Sequence, residues 1–163
     1  MIKKIFNSFS HINIKNQPSI VDVSCKEDSK RYAKAQSIVI LPKEIWIKLN
    51  NNEIFSKKGP IIHTAIIAGI MAVKNTSNLI PFCHPLQIED CQIHAIFGKN
   101  KTLLLECEVK IYGKTGVEME ALLGASIAAL TVYDMCKSIS NKIVIEKIYL
   151  LKKTGGKSDF TRN

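Results

Sequence analysis

The clearest pattern in the chain is an alternation of apolar and polar positions between residues 102 and 112. Its odd-numbered positions are apolar, and its even-numbered positions include Glu106 and Glu108. A period of two is typical of a strand with one face on a core and one face in water. The stretch G-K-N-K at 98 to 101 predicts a hairpin that joins this strand to a preceding antiparallel one.

Two longer segments are apolar around more of their circumference and predict helices. Residues 61 to 73 follow Pro60 and read I-I-H-T-A-I-I-A-G-I-M-A-V, the pattern of a buried helix. The second helix continues to about residue 139 and starts near Thr115 and Glu118, whose spacing matches a capping box. Its middle is rich in glycine and alanine, so another backbone can approach it closely.

The order of the elements predicts an α+β protein. A strand at 32 to 41, a short helix opened by Pro42 and a closing strand at 142 to 151 complete the set. Without the short helix, the order is strand, helix, strand, strand, helix, strand, which forms two split β-α-β units. We therefore expect a ferredoxin-like sandwich, with a four-stranded antiparallel sheet, two long helices on one face and a short extra helix.

Length and composition fit one domain that needs no disulfide bonds. The chain has 163 residues and is 46% hydrophobic, which is enough to bury a core. We expect an irregular segment at 1 to 20, a single domain at 21 to 160 and a polar tail at 161 to 163. The five cysteines have no paired spacing, and neither a signal peptide nor a membrane span is recognisable. These features predict a cytoplasmic protein.

The chain is strongly basic, with a formal charge of +9. Such a surface attracts anions, which could be nucleic acid, acidic lipid or a phosphorylated small molecule. The excess could also reflect a composition rich in lysine, isoleucine and asparagine. An RNA-binding sheet is one alternative, but residues 102 to 111 lack aromatic side chains for base stacking and carry two glutamates.

A cysteine and a histidine lie together in the stretch I-P-F-C-H-P-L at 80 to 86. Pro81 and Pro85 make this segment a stiff, extended loop, because proline fixes φ and disfavours helix in the residue before it. Loops of this kind carry many binding groups, but the pair Cys83 and His84 by itself favours a structural role slightly over a functional one.

The spacing of the residues argues against two types of site, a zinc site and a P-loop. Cys83, His84, Cys91 and His94 fall within a dozen residues, but their spacing does not match a zinc site, so we expect no metal. T-G-G-K-S at 154 to 158 resembles the end of a phosphate-binding P-loop and lacks the earlier glycine and the following helix. Its amides and lysine could still bind an anion.

Asp134 and Lys137 are three residues apart on the second helix, so their side chains can touch. One interpretation is a surface ion pair of little energetic importance. The other is an acid/base pair, because a carboxylate beside an amine in an apolar helix can have both pKa values moved into a useful range.

Six stretches taken together resemble the MoaC family of molybdenum-cofactor biosynthesis. They are K-K-G at 57 to 59, A-G-I-M-A-V-K-N-T at 68 to 76, L-I-P-F-C-H-P-L at 79 to 86, G-K-T-G-V-E-M-E-A-L at 113 to 122, T-V-Y-D-M-C-K at 131 to 137 and L-K-K-T-G-G-K-S at 151 to 158. The resemblance extends from V-D-V-S at 21 to K-S-D-F at 160. Six matches in one order are far more specific than any one of them.

The resemblance implies a lyase that works by acid/base rearrangement. Family members convert a cyclised dihydroguanosine triphosphate into cyclic pyranopterin monophosphate and release diphosphate. Because the reaction moves protons and has no redox step, it implies neither a cofactor nor a protein-bound metal, and whether Mg²⁺ accompanies the triphosphate stays open. The family forms hexamers built as trimers of dimers, so the resemblance also implies a homo-oligomer, with no nucleic-acid or membrane partner.

Matching the motifs position by position assigns the site residues. The implied catalytic residues are Asp134, Lys137 and Lys58. The implied substrate-binding residues are Phe82, Cys83, His84, Met119, Glu120, Glu118 and Arg31. In this assignment the aspartate is a general acid or base, the lysines donate protons or hold phosphate oxygens, and the arginine fork suits the triphosphate.

The chain departs from the family pattern at three places. Pro60 stands where the family commonly has Asp, Ile66 where it commonly has Arg, and K-S-D-F at 157 to 160 is one residue shorter than the usual tail. None of these changes an assigned catalytic residue, although a contact made by the arginine is lost.

Overall fold

The computed structural model describes residues 11–13, 15 and 17–162. The strands are β1 (Ser29–Ile40), β2 (Leu49–Asn50), β3 (Glu53–Ser56), β4 (Gly59–Pro60), β5 (Asp90–Phe97), β6 (Thr102–Gly113), β7 (Val144–Thr154) and β8 (Phe160–Thr161). The helices are α1 (Lys43–Trp46), α2 (Ile61–Lys74), α3 (Thr76–Leu79) and α4 (Glu118–Cys136). The expectation of no signal peptide rests on residues 1 to 10, which lie outside the described part.

The main sheet is antiparallel throughout, with the strand order β5-β6-β1-β7-β8. The α+β class and the order of the long elements are confirmed, and the layout is compatible with a ferredoxin-like sandwich. The expected four strands are joined by a fifth, β8, which pairs with the end of β7 and crosses the expected boundary between the domain and the polar tail. Two residues are too few to show a hydrophobic period, so the sequence pattern does not reveal this strand.

A second, three-stranded sheet is formed by β2, β3 and β4. Asn51 and Asn52 connect β2 to β3 with φ of 47° and 61°. Positive φ at both central residues is what a tight two-residue hairpin requires, and asparagine tolerates it well. This hairpin sets the direction of β3, which leads to the turn at Lys57 and Lys58.

The core lies between the main sheet and the two long helices, α2 and α4. The predicted alternation in β6 is confirmed, because the five odd-numbered residues from Leu103 to Ile111 are no more than 3% exposed. Within the described residues, α4 alone has the length and composition of a membrane-crossing helix, a feature that the sequence analysis did not find. It packs against α2, β1, β6 and β7, so its apolar character is that of a core helix.

The predicted capping box at the start of α4 is wrong. The N-cap position is Val117, and no side chain caps the helix there. Glu118 pairs instead with Lys153 on β7, with 3.1 Å between Oε1 and Nζ. The helix begins too late for Thr115 to be its cap, because a capping box needs its first residue directly before the first helical position.

The start of α2 is capped from another element. Pro60 precedes the helix and offers no cap, but the carboxylate of Glu53 on β3 accepts hydrogen bonds from the main-chain N–H of Ile62 (2.8 Å) and His63 (3.1 Å). Burial alone would raise the pKa of Glu53, yet these hydrogen bonds hold it below its ordinary value. The capped helix start and the turn that carries Lys58 are therefore fixed to each other.

Helices α2 and α4 touch through glycine. A side-chain carbon added at Gly69 would lie 2.8 Å from the main-chain oxygen of Gly124 on the facing helix. Since a main-chain atom cannot turn aside, the two helix axes would have to separate. The small residues expected to permit close approach in α4 therefore do so against α2.

Replacing Gly69 with alanine is expected to lower the free energy of unfolding by about 1–3 kcal/mol through overpacking. In an isolated helix the same substitution would instead raise helix stability by about 1 kcal/mol, because alanine is a better helix former than glycine. Urea unfolding measures the sign of the change in the free energy of unfolding. Ser126→Ala is the control, since the Ser126 hydroxyl bonds only within its own helix, to the oxygen of Leu122. A stabilised Gly69→Ala protein would contradict the close helix contact.

Candidate active site

A pocket of about 830 Å³ opens where the ends of β1, β6 and β7 meet the start of α4. Its walls come from the N-terminal segment, the proline-bracketed loop, the turn before α4 and the loop after β7. All seven implied substrate-binding residues line it: Arg31, Phe82, Cys83, His84, Glu118, Met119 and Glu120. These seven residues come from three separate parts of the sequence, which the fold brings to one place.

The proline-bracketed loop is held against the N-terminal segment. Nε2 of His84 lies 2.8 Å from the main-chain oxygen of Val21. A carbonyl oxygen can only accept, so Nε2 carries the proton and Nδ1 of the neutral ring is the acceptor. The ring of Phe82 stacks on that of His11 with 5.4 Å between centroids.

Cys83 is suited to packing and backbone contact more than to sulfur chemistry. Burial raises the pKa of its thiol, and the charge of Glu120 raises it further. A thiol in this state is a poor nucleophile, because the thiolate is the reactive form.

Arg31 braces two walls of the pocket. Its guanidinium donates to the main-chain oxygens of Gly113 (3.0 Å), Lys114 (3.2 Å) and Gly155. These three acceptors lie at the end of β6 and in the loop after β7. The side chain lines the pocket as the resemblance implies, and three of its five N–H groups donate to main-chain oxygens of the protein.

Four lysines in the pocket were not among the predicted site residues. They are Lys26, Lys114, Lys153 and Lys157. With Arg31 they outnumber the carboxylates of the lining, Glu27, Glu118 and Glu120, so the pocket is suited to an anion. The stretches G-K-T-G and K-K-T-G-G-K-S contain three of these lysines, and the anion-binding alternative considered for T-G-G-K-S was the signal that could have found them.

Glu120 is the most perturbed acid of the pocket. It is only 3% exposed in the first turn of α4. Burial raises the pKa of its carboxyl to about 7, a main-chain hydrogen bond opposes this rise, and the charge of Glu118 adds to it. A carboxyl poised near neutrality is suited to giving and taking protons at cellular pH.

The three implied catalytic residues form a separate cluster. Asp134 pairs with Lys137, with 2.6 Å between Oδ1 and Nζ, and with Lys58, with 3.3 Å between Oδ2 and Nζ. Asp134 lies sixteen positions after Glu118 on the same helix, and at 1.5 Å per residue this places the cluster about 24 Å from the pocket's end of α4. One chain therefore holds two groups of site residues, at opposite ends of α4.

The pKa values in this cluster do not move toward neutrality in the single chain, contrary to the acid/base interpretation. The hydrogen bonds from Lys137 and then Lys58 lower the pKa of Asp134, and the hydrogen bond to Asp134 raises that of Lys137. The reason is exposure. Both side chains are 53% exposed, so water solvates the carboxylate and the ammonium, and burial does not disfavour either charged form. Only burial by another surface would reverse these shifts.

Two of the three departures from the family pattern, Pro60 and Ile66, line neither group, whereas the shortened stretch at 157 to 160 includes Lys157 of the pocket. Pro60 pairs with Phe55 in the small sheet, and its carbonyl oxygen accepts a hydrogen bond from the Thr64 hydroxyl at 2.5 Å. Ile66 packs against both parts of the core. Both substitutions are thus accommodated by the fold.

The fold and the pocket define a small α+β protein with a cation-rich site of the size that small-molecule ligands occupy. A sequence model of the MoaC family matches residues 20–156. A Bacillus cereus protein named cyclic pyranopterin monophosphate synthase is 47% identical over 161 residues, which are 96% of this chain and 99% of that protein. A Xanthomonas campestris protein of the same name is 48% identical, covering 92% of this chain and 91% of its own length.

Longer relatives contain a similar region. A Synechocystis protein named molybdenum cofactor biosynthesis bifunctional protein is 54% identical over 94% of this chain. The chain spans 46% of that protein and 27% of a Dictyostelium discoideum relative named molybdenum cofactor biosynthesis protein 1. The matched region and the identities establish that the chain belongs to the MoaC family.

The buried Glu120 predicts a pH-dependent stability. Between its ordinary pKa of 4.5 and the folded value of about 7, the unfolded chain has lost a proton that the folded chain keeps. Stability therefore falls as pH rises across this window, by about 3 kcal/mol in total. Glu120→Gln should match the wild type at pH 4 and exceed its stability at pH 8, as measured by urea unfolding. Glu146→Gln, exposed on β7, controls for the charge change, and a Glu120→Gln protein that follows the wild type at every pH would disprove the assignment.

Proposed function

We propose that this chain is a lyase of molybdenum-cofactor biosynthesis that converts (8S)-3',8-cyclo-7,8-dihydroguanosine 5'-triphosphate to cyclic pyranopterin monophosphate and releases diphosphate. The observation that carries the proposal is the convergence of all seven motif-matched binding residues on one cation-rich pocket. The names of the full-length relatives support the same activity.

In this proposal the pocket holds the nucleotide, and its lysines neutralise the triphosphate. The acceptor Nδ1 of His84 and the carboxyl of Glu120 are the groups near the ring system that can accept or hold a proton. Opening the imidazole ring and closing the pterin and pyran rings need protons delivered to nitrogen and removed from oxygen. Asp134, Lys137 and Lys58 would supply these transfers once they are close to the substrate.

The two groups of residues cannot meet within one chain, because a rigid helix holds them about 24 Å apart. We therefore propose that the complete site lies between two copies, with the pocket from one and the Asp134 cluster from the other. Leu130, one turn before Asp134, is 53% exposed, and Ile67 and Met71 on α2 are each 59% exposed. Exposed apolar side chains on both long helices, one of them a single turn from Asp134, support burial by a second copy, and a hexamer of three such dimers is the assembly proposed.

Burial by the second copy would also change the chemistry of the cluster. Removing water from Asp134 and Lys137 disfavours both charged forms, so the pKa of the carboxyl rises and that of the ammonium falls. The pair would then be able to exchange protons near neutral pH. The oligomer in this proposal is what converts a surface ion pair into an acid/base pair.

The same structure supports an enzyme over the RNA-binding alternative. On the open face of the sheet, Lys34 bridges Glu106 (2.6 Å) and Glu108 (3.0 Å), and the Tyr32 hydroxyl donates to Glu108. Phosphates would meet carboxylates there instead of a stacking platform. We propose a ferredoxin-like fold and a cytoplasmic location for the protein, since its chemistry needs only a nucleotide and water.

Asp134→Asn and Lys137→Met are each expected to lower single-turnover pterin formation by about 100-fold or more, the usual contribution of a positioned proton-transfer group. The double variant should lose far less than the product of the two effects, because both residues serve one step. Thermal melting and light scattering check folding and assembly. Near-normal turnover in either single variant would remove that residue from the mechanism.

The shared site predicts complementation. Asp134→Asn and His84→Ala proteins should each be inactive, and mixed oligomers refolded from both should recover roughly a quarter of wild-type activity. Half of the randomly formed pairs are hybrid, and one of the two sites in each hybrid keeps both groups intact. Native mass spectrometry verifies that hybrids form. Hybrids without activity, or a light-scattering mass near 18.2 kDa, would exclude a site shared between copies.

A further inference from the structure

The last described residues fold back on the edge of the main sheet. Strand β8 pairs with Lys152 and Lys153 at the end of β7. Arg162 fastens the end of this hairpin: its main-chain N–H donates to the oxygen of Leu151 (2.8 Å) and its Nε to the oxygen of Leu150 (3.0 Å). Its guanidinium also lies over the ring of Tyr149, 5.1 Å from the centroid.

The loop within this hairpin, residues 155 to 159, is held from both sides. The carboxylate of Asp159 accepts a hydrogen bond from the main-chain N–H of Gly155 at 3.1 Å. The oxygen of Gly155 in turn accepts from the Ser29 hydroxyl (3.1 Å) and from the Arg31 guanidinium. Gly155 has a φ of +84° and lies against the main chain of Lys30, so a side chain at this position would collide with β1.

This loop is part of the pocket wall. Gly155, Gly156 and Lys157 all line the pocket, and none of the three lies in a helix or strand. A loop without regular structure keeps its shape only through such local contacts. The position of the Lys157 ammonium relative to Lys114 and Lys153 therefore depends on the hydrogen bond of Asp159 and the anchoring of Arg162.

We propose that Asp159 and Arg162 are positioning residues that fix the 155–159 loop as a binding subsite for the polyphosphate end of the ligand. The assignment of that ligand as a nucleotide triphosphate rests on the proposed function. The charge that an anion requires comes from lysines of the pocket lining, with Lys157 on the loop and Lys114 and Lys153 elsewhere in the wall. Neither positioning residue lines the pocket itself, so each acts through the loop.

The role is local, which separates it from a general contribution to stability. Strand β8 has two residues, and both are exposed. Loosening this hairpin leaves the core between the sheet and the helices intact. We therefore expect variants of the two positioning residues to change ligand affinity while the melting temperature stays close to that of the wild type.

A pair of Asp159 variants tests the hydrogen bond. Asp159→Ala and Asp159→Asn remove the same charge, but the asparagine oxygen can still accept from Gly155. Inorganic triphosphate is the probe, with its affinity measured by calorimetry. Asp159→Ala should weaken binding by about 10-fold, the usual effect of losing one such hydrogen bond, and Asp159→Asn should recover most of the affinity. Equal affinities for the two variants would overturn the role of Asp159.

Arg162→Ala tests the anchoring, with Lys152→Ala as the control. Both remove one positive charge from the same hairpin, and the Lys152 side chain is exposed and outside the pocket. Arg162→Ala should speed tryptic cleavage after Lys157 by several fold and raise KM for the nucleotide by about 10-fold with little change in kcat. Indistinguishable cleavage rates and KM values for the two variants would overturn the role of Arg162.

The triphosphate and proteolysis measurements do not depend on the proposed reaction. A wild-type protein that forms no pterin would reject the proposed function, and the proposed subsite would still be tested by triphosphate affinity. A wild-type protein that turns over normally, together with Asp159→Ala and Arg162→Ala proteins that bind triphosphate as well as it does, would reject the subsite alone.

Discussion

The close packing of α4 between α2 and the main sheet is the constraint on which both groups of site residues depend. Gly69 and Gly124 let the two helices touch, and alanines keep α4 close to the sheet. Because one face of α4 is packed along the length of the helix, its two ends are fixed with respect to each other. The pocket carboxylates lie at one end and Asp134 at the other. The fold therefore keeps the two groups of one chain apart, and neither group can complete the other.

The pocket concentrates positive charge around one desolvated acid. Lysines from the N-terminal segment, the turn before α4 and the hairpin after β7 surround a lining that includes Glu120. A buried carboxyl that costs stability at neutral pH is retained in natural proteins mainly where function uses it. The positive charge of the pocket and the stability lost by burying the Glu120 carboxyl thus support one interpretation, a binding site at which protons are exchanged.

Sequence periodicity predicted the parts of the fold that bury a regular face. The alternation of β6 recurs in the structure, because burial of one face imposes a period. Helix α2 forms where its apolar pattern predicts it, but it buries one face only and leaves Ile67 and Met71 exposed. Strands β2 and β8 have only two residues each, too few for any period. The predicted cap at Thr115 was wrong because the helix starts later, at Glu118, whose side chain pairs with Lys153. The pocket lysines lie in distant segments, and no local spacing reports that folding brings them together.

The environment of Glu120 links ligand binding to proton uptake. At neutral pH about half of these carboxyls carry a proton, since the pKa is about 7. A polyanion placed beside the carboxyl raises this pKa further, so a fraction of a proton enters each site as the ligand binds. For the proposed nucleotide, the heat of binding would then depend on the ionisation enthalpy of the buffer, and the carboxyl would take up its proton before any bond of the ligand changes.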